Sequence, residues 1–244
     1  MAVRDTLSQR LDWPMMPTSL VLLPGMDGTG ELFEPLLAAI GDSIPTVVVR
    51  YPGAEPLDYA ELKRLVRAAL PLDRPFVILG ESFSGPIAVS MASDAPRGMA
   101  GFILCASHLS GPGAWLRTFS GLLRLVPLRT VVRLVGARRL MGRFETPGLR
   151  ELLLEAPGKV SPDVLRARVR SVLCTDVSSE LAATRLPSLY LEATEDRVVP
   201  QSAAVTFARL AARGRVVTIA GPHLLLQCAP IEAVRAIRDF MDAL

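Results

Sequence analysis

Six short apolar and β-branched runs recur along this 244-residue chain: SLVLLPG, TVVVRYPG, FVILGES, GFILCAS, SLYLEATED and RVVTIAG. Such runs lack the polar alternation of a half-exposed strand, so each one suits a strand buried on both faces. Helical patterns such as ELFEPLLAAI and DYAELKRLVRAAL stand between them, and helices of that length supply the crossovers that parallel strands require. These features predict an α/β fold built on a mostly parallel sheet with flanking helices. Half of the residues are apolar, enough for a sizeable core.

The alternation breaks between Leu109 and Leu186. There Leu/Val/Arg segments of helical spacing are punctuated by Pro127, Pro147, Pro157 and Pro162. Ser161-Pro162-Asp163 reads as an N-cap, a first-turn proline and a first-turn acid. Strand and helix patterns then resume. The expected organisation is one core, residues 1–108 with 187–244, carrying a helical lid over 109–186.

GESFSG, residues 80–85, lies where the run FVIL ends and the small, apolar stretch PIAVSMAS begins. A sharp strand-to-helix turn forces its central residue toward positive φ and brings the chain so close to itself that only small neighbours fit two positions away. Gly80 and Ser84 meet that need. Ser82 is then lifted clear of the sheet, with the first turn of the following helix behind it, and is a candidate nucleophile.

A serine hydroxyl needs a base, and the chain has two histidines, His108 and His223. His223, in AGPHLLLQ after the last strand pattern, is the favoured base; His108 follows FILCAS and is read as a loop, lid or substrate-lining residue. The base in turn needs an acid to hold its tautomer. Asp196, in LYLEATEDRVVP, ends a strand pattern and gives the chain order Ser, Asp, His. Its neighbour Glu195 is the nearest competitor, and no Asp or Glu occurs from Ala95 to Phe144. Two donors must also face the developing oxyanion. Phe83 supplies one backbone N–H from the turn, and Met26, in LLPGMDGTG, is positioned to supply the other.

Other chemistries fit poorly. The glycines at 25, 28 and 30 are neither followed by Gly-Lys-Ser/Thr nor spaced for a dinucleotide. A net charge of +3 and an aromatic content of 5% give little footing for nucleic acid. Cys105, Cys174 and Cys228 are odd in number and widely spaced, as expected of reduced thiols in a cytoplasmic protein. Asp5 and Asp12 interrupt the N-terminal stretch where a signal peptide needs an apolar run, and no stretch has the length of a transmembrane helix.

LPGMDGTG, GESFSG, EATEDRVVP and AGPHLLLQ, in this order, resemble the α/β-hydrolase superfamily, in particular its small lidded serine esterases and thioesterases. The resemblance implies a triad of Ser82, Asp196 and His223, oxyanion N–H groups from Met26 and Phe83, and no metal or cofactor. Pro24-Gly25 stands where many members have His-Gly. The segment before Ser19 is short for the usual opening antiparallel strands, so about six parallel strands are expected. The first two strings also resemble those of ester-synthesising acyltransferases.

Residues 109–186 carry a net charge of +7 and the remainder −4, with seven arginines and no acid from Leu109 to Arg143. These arginines either solvate an outer face, sit at an anionic membrane surface, or recruit an acidic acyl carrier protein, with Arg138, Arg139 and Arg143 as candidate contacts. The expected activity is cleavage of a small-molecule carboxylic ester or thioester of an apolar acyl group. Transfer to an alcohol and noncatalytic ligand binding are the alternatives.

Overall fold

The computed structural model describes residues 17–111 and 137–244; the expectations placed on the N-terminal stretch and on the arginine-rich segment 112–136 lie outside the described residues. Six strands form one sheet: β1 (Ser19–Leu23), β2 (Thr46–Val48), β3 (Phe76–Glu81), β4 (Met99–Cys105), β5 (Ser188–Ala193) and β6 (Gly214–Ile219). Their order is β2-β1-β3-β4-β5-β6, and every neighbouring pair is parallel. The sheet thus begins late, without an antiparallel opening among the described residues.

Why the apolar runs tolerate no polar alternation is visible in their side chains. Val21 and Leu23, Phe76 and Ile78, and Phe102 and Leu104 enter one apolar core. Leu20 and Leu22, Val77 and Leu79, and Ile103 and Cys105 enter a second. Successive side chains on a strand point to opposite faces, so a run buried on both must be apolar throughout. The first face is covered by α2 (Tyr59–Ala68), α3 (Gly85–Asp94) and α8 (Ser202–Leu210). The second is covered by α1 (Glu34–Ile40), the short α9 (Leu225–Cys228) and α10 (Pro230–Met241).

Between β4 and β5 the described residues form α4 (Ala137–Leu140), α5 (Pro147–Glu155), α6 (Pro162–Cys174) and α7 (Ser178–Ala183). Helix α6 starts as its sequence implies: Ser161 Oγ accepts from the Val164 N–H at 3.2 Å, with Pro162 in the first turn. Thr146 and Pro147 start α5 in the same way. The two ends of this insertion are fastened together. Ser110 and Asp176 form an isolated antiparallel bridge, flanked by hydrogen bonds from Gly111 N to Thr175 O and from Val177 N to Leu109 O, both 2.8 Å. That short antiparallel clasp departs from an expectation of helix alone, because two chain ends side by side satisfy their backbone groups by pairing.

The strand order reverses between β1 and β3. In an open parallel sheet, the crevice outside the carboxyl ends at such a point is where loops diverge and a site is built. The loops after β1, β3, β4, β5 and β6 all open on that side. Among the described residues no helix is long and apolar enough to cross a membrane, and no group of three or more His, Cys, Asp or Glu could hold a metal ion.

Candidate active site

Ser82 follows β3 directly and has φ 46, a left-handed conformation rare for a residue with a side chain. It opens a 3-10 turn, Ser82–Ser84, that runs into α3. Gly80 is required by close approach: a Cβ there would lie 2.7 Å from the Ser84 carbonyl oxygen. The strained turn is held from outside. Ser107 Oγ donates to the Ser82 carbonyl at 2.6 Å, and Ser107 is itself fixed by Tyr190, whose hydroxyl donates to its carbonyl at 2.5 Å. Tyr59 Oη donates to the Phe83 carbonyl at 2.7 Å. Ser84 Oγ sits 2.8 Å from Tyr51 Oη and donates to the Pro24 carbonyl. The last bond ties the turn to the loop after β1.

The expected partners converge on this serine. Ser82 Oγ is 2.9 Å from His223 Nε2, and His223 Nδ1 is 2.8 Å from Asp196 Oδ2. Asp196 uses its other oxygen to accept from the Val198 and Val199 N–H groups, at 2.7 and 2.8 Å. Both the imidazole and the carboxylate are almost wholly buried. With Nδ1–H donating to Asp196, Nε2 is left as the acceptor that a general base needs. The three side chains come from the ends of β3, β5 and β6, 141 and 27 residues apart along the chain.

The competing residues separate by their contacts. Glu195 turns outward and pairs with Arg143 at 2.7 Å. His108 hydrogen-bonds to neither Ser82 nor Asp196 among the described contacts, and its Nε2 is buried without a partner. Burial and, after it, neighbouring His223 push the His108 pKa down to about 4, so its ring is neutral at pH 7. It lines a cavity of about 600 Å³ beside Ser82, Met26 and Phe83. Leu109, Val172, Val199 and Ala203 make much of that cavity apolar, with Ser110, Ser202 and Thr206 interspersed.

Of the three arginines singled out on the insertion, Arg143 is engaged by Glu195 and Arg139 is exposed on α4. The side chain of Arg138 lies outside the described residues.

Glu81 and Arg168, both buried, escaped the sequence reading. Glu81, just before the nucleophile candidate, accepts from Gln227 Nε2 at 2.9 Å. Burial raises its pKa to about 7 against the opposing effect of that bond; Asp27 raises it further, and the Gly25 N–H lowers it. Arg168 on α6 is the other. It occupies the apolar stripe of its helix, with Val164, Leu165 and Val172, and an arginine at that spacing was the available signal.

Comparison with known proteins agrees with this fold. Residues 20–237 match the alpha/beta hydrolase family. The biotin biosynthesis bifunctional protein BioHC of Cellvibrio japonicus (strain Ueda107) is 24% identical over 241 residues, 92% of this chain and 48% of that protein. The chain thus spans about half the length of that curated relative. Among solved structures, the bromoperoxidase from Bacillus anthracis superposes with a TM-score of 0.81 at 14% identity, covering 93% of this chain and 92% of that one. The enol-lactonase from Burkholderia xenovorans LB400 gives 0.79 at 14% identity, with the same coverage. At these identities the likeness is one of fold.

Proposed function

Because this chain belongs to the alpha/beta hydrolase family, we propose that it cleaves a carboxylic ester or thioester of an apolar acyl group through an acyl-enzyme on Ser82. The observation that carries this reading is the relay from Ser82 Oγ through His223 to Asp196, at 2.9 and 2.8 Å, opening on a largely apolar cavity.

His223 Nε2 takes the hydroxyl proton as Ser82 Oγ attacks the carbonyl carbon, and Asp196 stabilises the imidazolium that forms. The carbonyl oxygen becomes an anion facing the backbone N–H groups of Met26 and Phe83, the second of which lies in the first turn of a helix. His223 then gives its proton to the departing alcohol or thiol. Water, deprotonated by the same imidazole, attacks the acyl-Ser82 ester and releases the acid. No step calls on a metal or a redox cofactor.

A cavity of about 600 Å³ falls within the usual range for small-molecule sites, ~300–1,000 Å³. The test is a panel of p-nitrophenyl esters graded by acyl length, with products analysed in the presence and absence of a long-chain alcohol. A kcat/KM maximum at one acyl length, with free acid as the product, supports hydrolysis. Dominance of the new ester identifies an acyltransferase, and turnover of no ester favours a binding protein.

A second reading concerns how the acyl group arrives. The +7 charge on residues 109–186 favours presentation by an acidic acyl carrier protein, with Arg138 and Arg139 as contacts. Changing both to Glu should slow a carrier-linked thioester while sparing p-nitrophenyl butyrate; equal losses on the two would dismiss the carrier.

A further inference from the structure

The loop after β1 is immobilised to an unusual degree, and one of its anchors comes from the inserted helices. Each of its five carbonyls from Pro24 to Gly28 accepts a hydrogen bond. Pro24 accepts from Ser84 Oγ. Gly25 accepts from the Gly28 N–H at 3.1 Å, and Gly28 from the Tyr51 N–H at 2.8 Å. The two carbonyls between them, Met26 and Asp27, are both held by Arg168 Nη1, at 3.0 and 2.7 Å. Arg168 Nη2 donates to the Pro52 carbonyl at 3.1 Å, and the guanidinium lies 5.7 Å from the centre of the Tyr51 ring.

Arg168 is 1% exposed. Burial works against its charge, with Asp27 acting in its favour. Its guanidinium contacts are carbonyls, not a carboxylate, among the described residues. Placing a guanidinium on the apolar stripe of a helix costs free energy that a leucine there would avoid. What it adds is a planar fork that holds two successive carbonyls from Nη1 while Nη2 reaches the Pro52 carbonyl, a fixed three-point grip that an ammonium or an apolar side chain does not reproduce. The opposite side of the fork is equally constrained. Gly28 has φ 70, and a Cβ there would come within 2.5 Å of Nη1.

We propose that Arg168 is a positioning residue for the oxyanion site, carried by the inserted helices: by gripping the Met26 and Asp27 carbonyls it fixes the two peptides that follow the Met26 Cα, and together with the Gly28 N–H bond to the Gly25 carbonyl this keeps the Met26 N–H facing the reacting carbonyl at Ser82. This assignment rests on the hydrolase reading above. Arg168 itself touches no reacting atom. Its effect is on how well the transition state is held, and ground-state binding in the apolar cavity is left alone. The inserted helices thereby gain a role in the chemistry, since a movement of α6 is transmitted to one of the two oxyanion donors.

The test compares wild type with Arg168→Lys, Arg168→Met and Gly28→Ala, the last crowding the fork without removing its charge. For each, kcat and KM are measured on a p-nitrophenyl ester. Inhibition constants follow for a trifluoromethyl ketone, which forms the oxyanion, and for the product acid, which does not; thermal midpoints monitor folding. The expected result is a fall in kcat of ~10- to 100-fold with KM nearly unchanged. Trifluoromethyl ketone affinity falls in parallel with kcat/KM, product-acid affinity stays constant, and Lys is less impaired than Met.

Folded variants that keep wild-type kcat and ketone affinity overturn the assignment. So does a loss of activity that follows thermal stability and spares ketone affinity, which would mark Arg168 as structural only. Should Met fail to fold, Lys and Gly28→Ala decide by the same criteria. A wild type that turns over no ester and takes up no fluorophosphonate overturns the hydrolase reading itself, and the assignment with it.

Discussion

Ser82, Asp196 and His223 stand at the ends of strands in a sheet packed between two extensive apolar cores, whereas α4, α5 and α6 reach the same loops from outside on much smaller supports. Among the described residues, the buried apolar clusters on α4 to α6 hold three residues each: Met141, Leu153 and Leu224 in one, Val160, Val164 and Leu165 in the other. Beside these small clusters, the described residues of the insertion make single polar contacts to each loop of the candidate site. Arg168 holds the loop after β1, the Leu140 carbonyl accepts from the Leu224 N–H next to His223, and Arg143 pairs with Glu195 next to Asp196. On the proposed reading, a site assembled this way has a rigid half that fixes the reacting atoms and a looser half that trims them. Fewer buried contacts mean a lower cost of local opening.

The largest expected effect belongs to the rigid half. His223→Ala should lower kcat/KM on a p-nitrophenyl ester by ~10⁴-fold or more, because no other described side chain takes the hydroxyl proton. His108 is the one alternative imidazole, and a residual activity within tenfold of wild type would assign it the base. Ser107→Ala removes the donor to the Ser82 carbonyl and should destabilise the fold by ~1–3 kcal/mol, read as a lower thermal midpoint with a reduced kcat. An unchanged midpoint would mean that the strained turn holds without its outer brace.

Glu81 sharpens the comparison through pH. Its folded pKa is raised from 4.5 to about 7, so its contribution to stability is complete below pH 4.5 and is lost as pH rises through about 7. Between pH 5 and 8 wild type should therefore lose on the order of 1–3 kcal/mol relative to Glu81→Gln. Parallel stability curves for the two proteins would show that burial does not raise this carboxyl. The smallest effect belongs to the looser half: Arg143→Ala breaks an exposed pair and should change stability by under ~1 kcal/mol. A larger loss would place the Asp196 loop under the control of the inserted helices.

The same contrast governs what could be read from the chain. Ser82 was legible because its requirements are local: a buried strand before it, a helix after it, Gly80 and Ser84 at two positions either side. Asp196 and His223 followed from strand endings and from a choice between two histidines. Ser161-Pro162 marked the start of α6 for the same local reason. The place of Arg168 on an apolar stripe was a signal, but its role was not legible, because its partners are backbone carbonyls 141 and 142 residues away that any sequence would supply. Among the basic residues of the insertion it counted as one more solvated charge. The Arg143 contact with Glu195 spans 52 residues and has no local signature. Tyr51, Tyr59 and Tyr190 brace the turn at Ser82 through hydroxyls whose targets depend on how the sheet is assembled.

The central claim is that the fold activates Ser82. Incubation with a fluorophosphonate followed by intact-mass measurement tests it most directly, with Ser82→Ala alongside. The account predicts a single adduct on the wild-type protein and none on the variant. A folded wild type that stays unmodified, or an adduct that persists in Ser82→Ala, would contradict it.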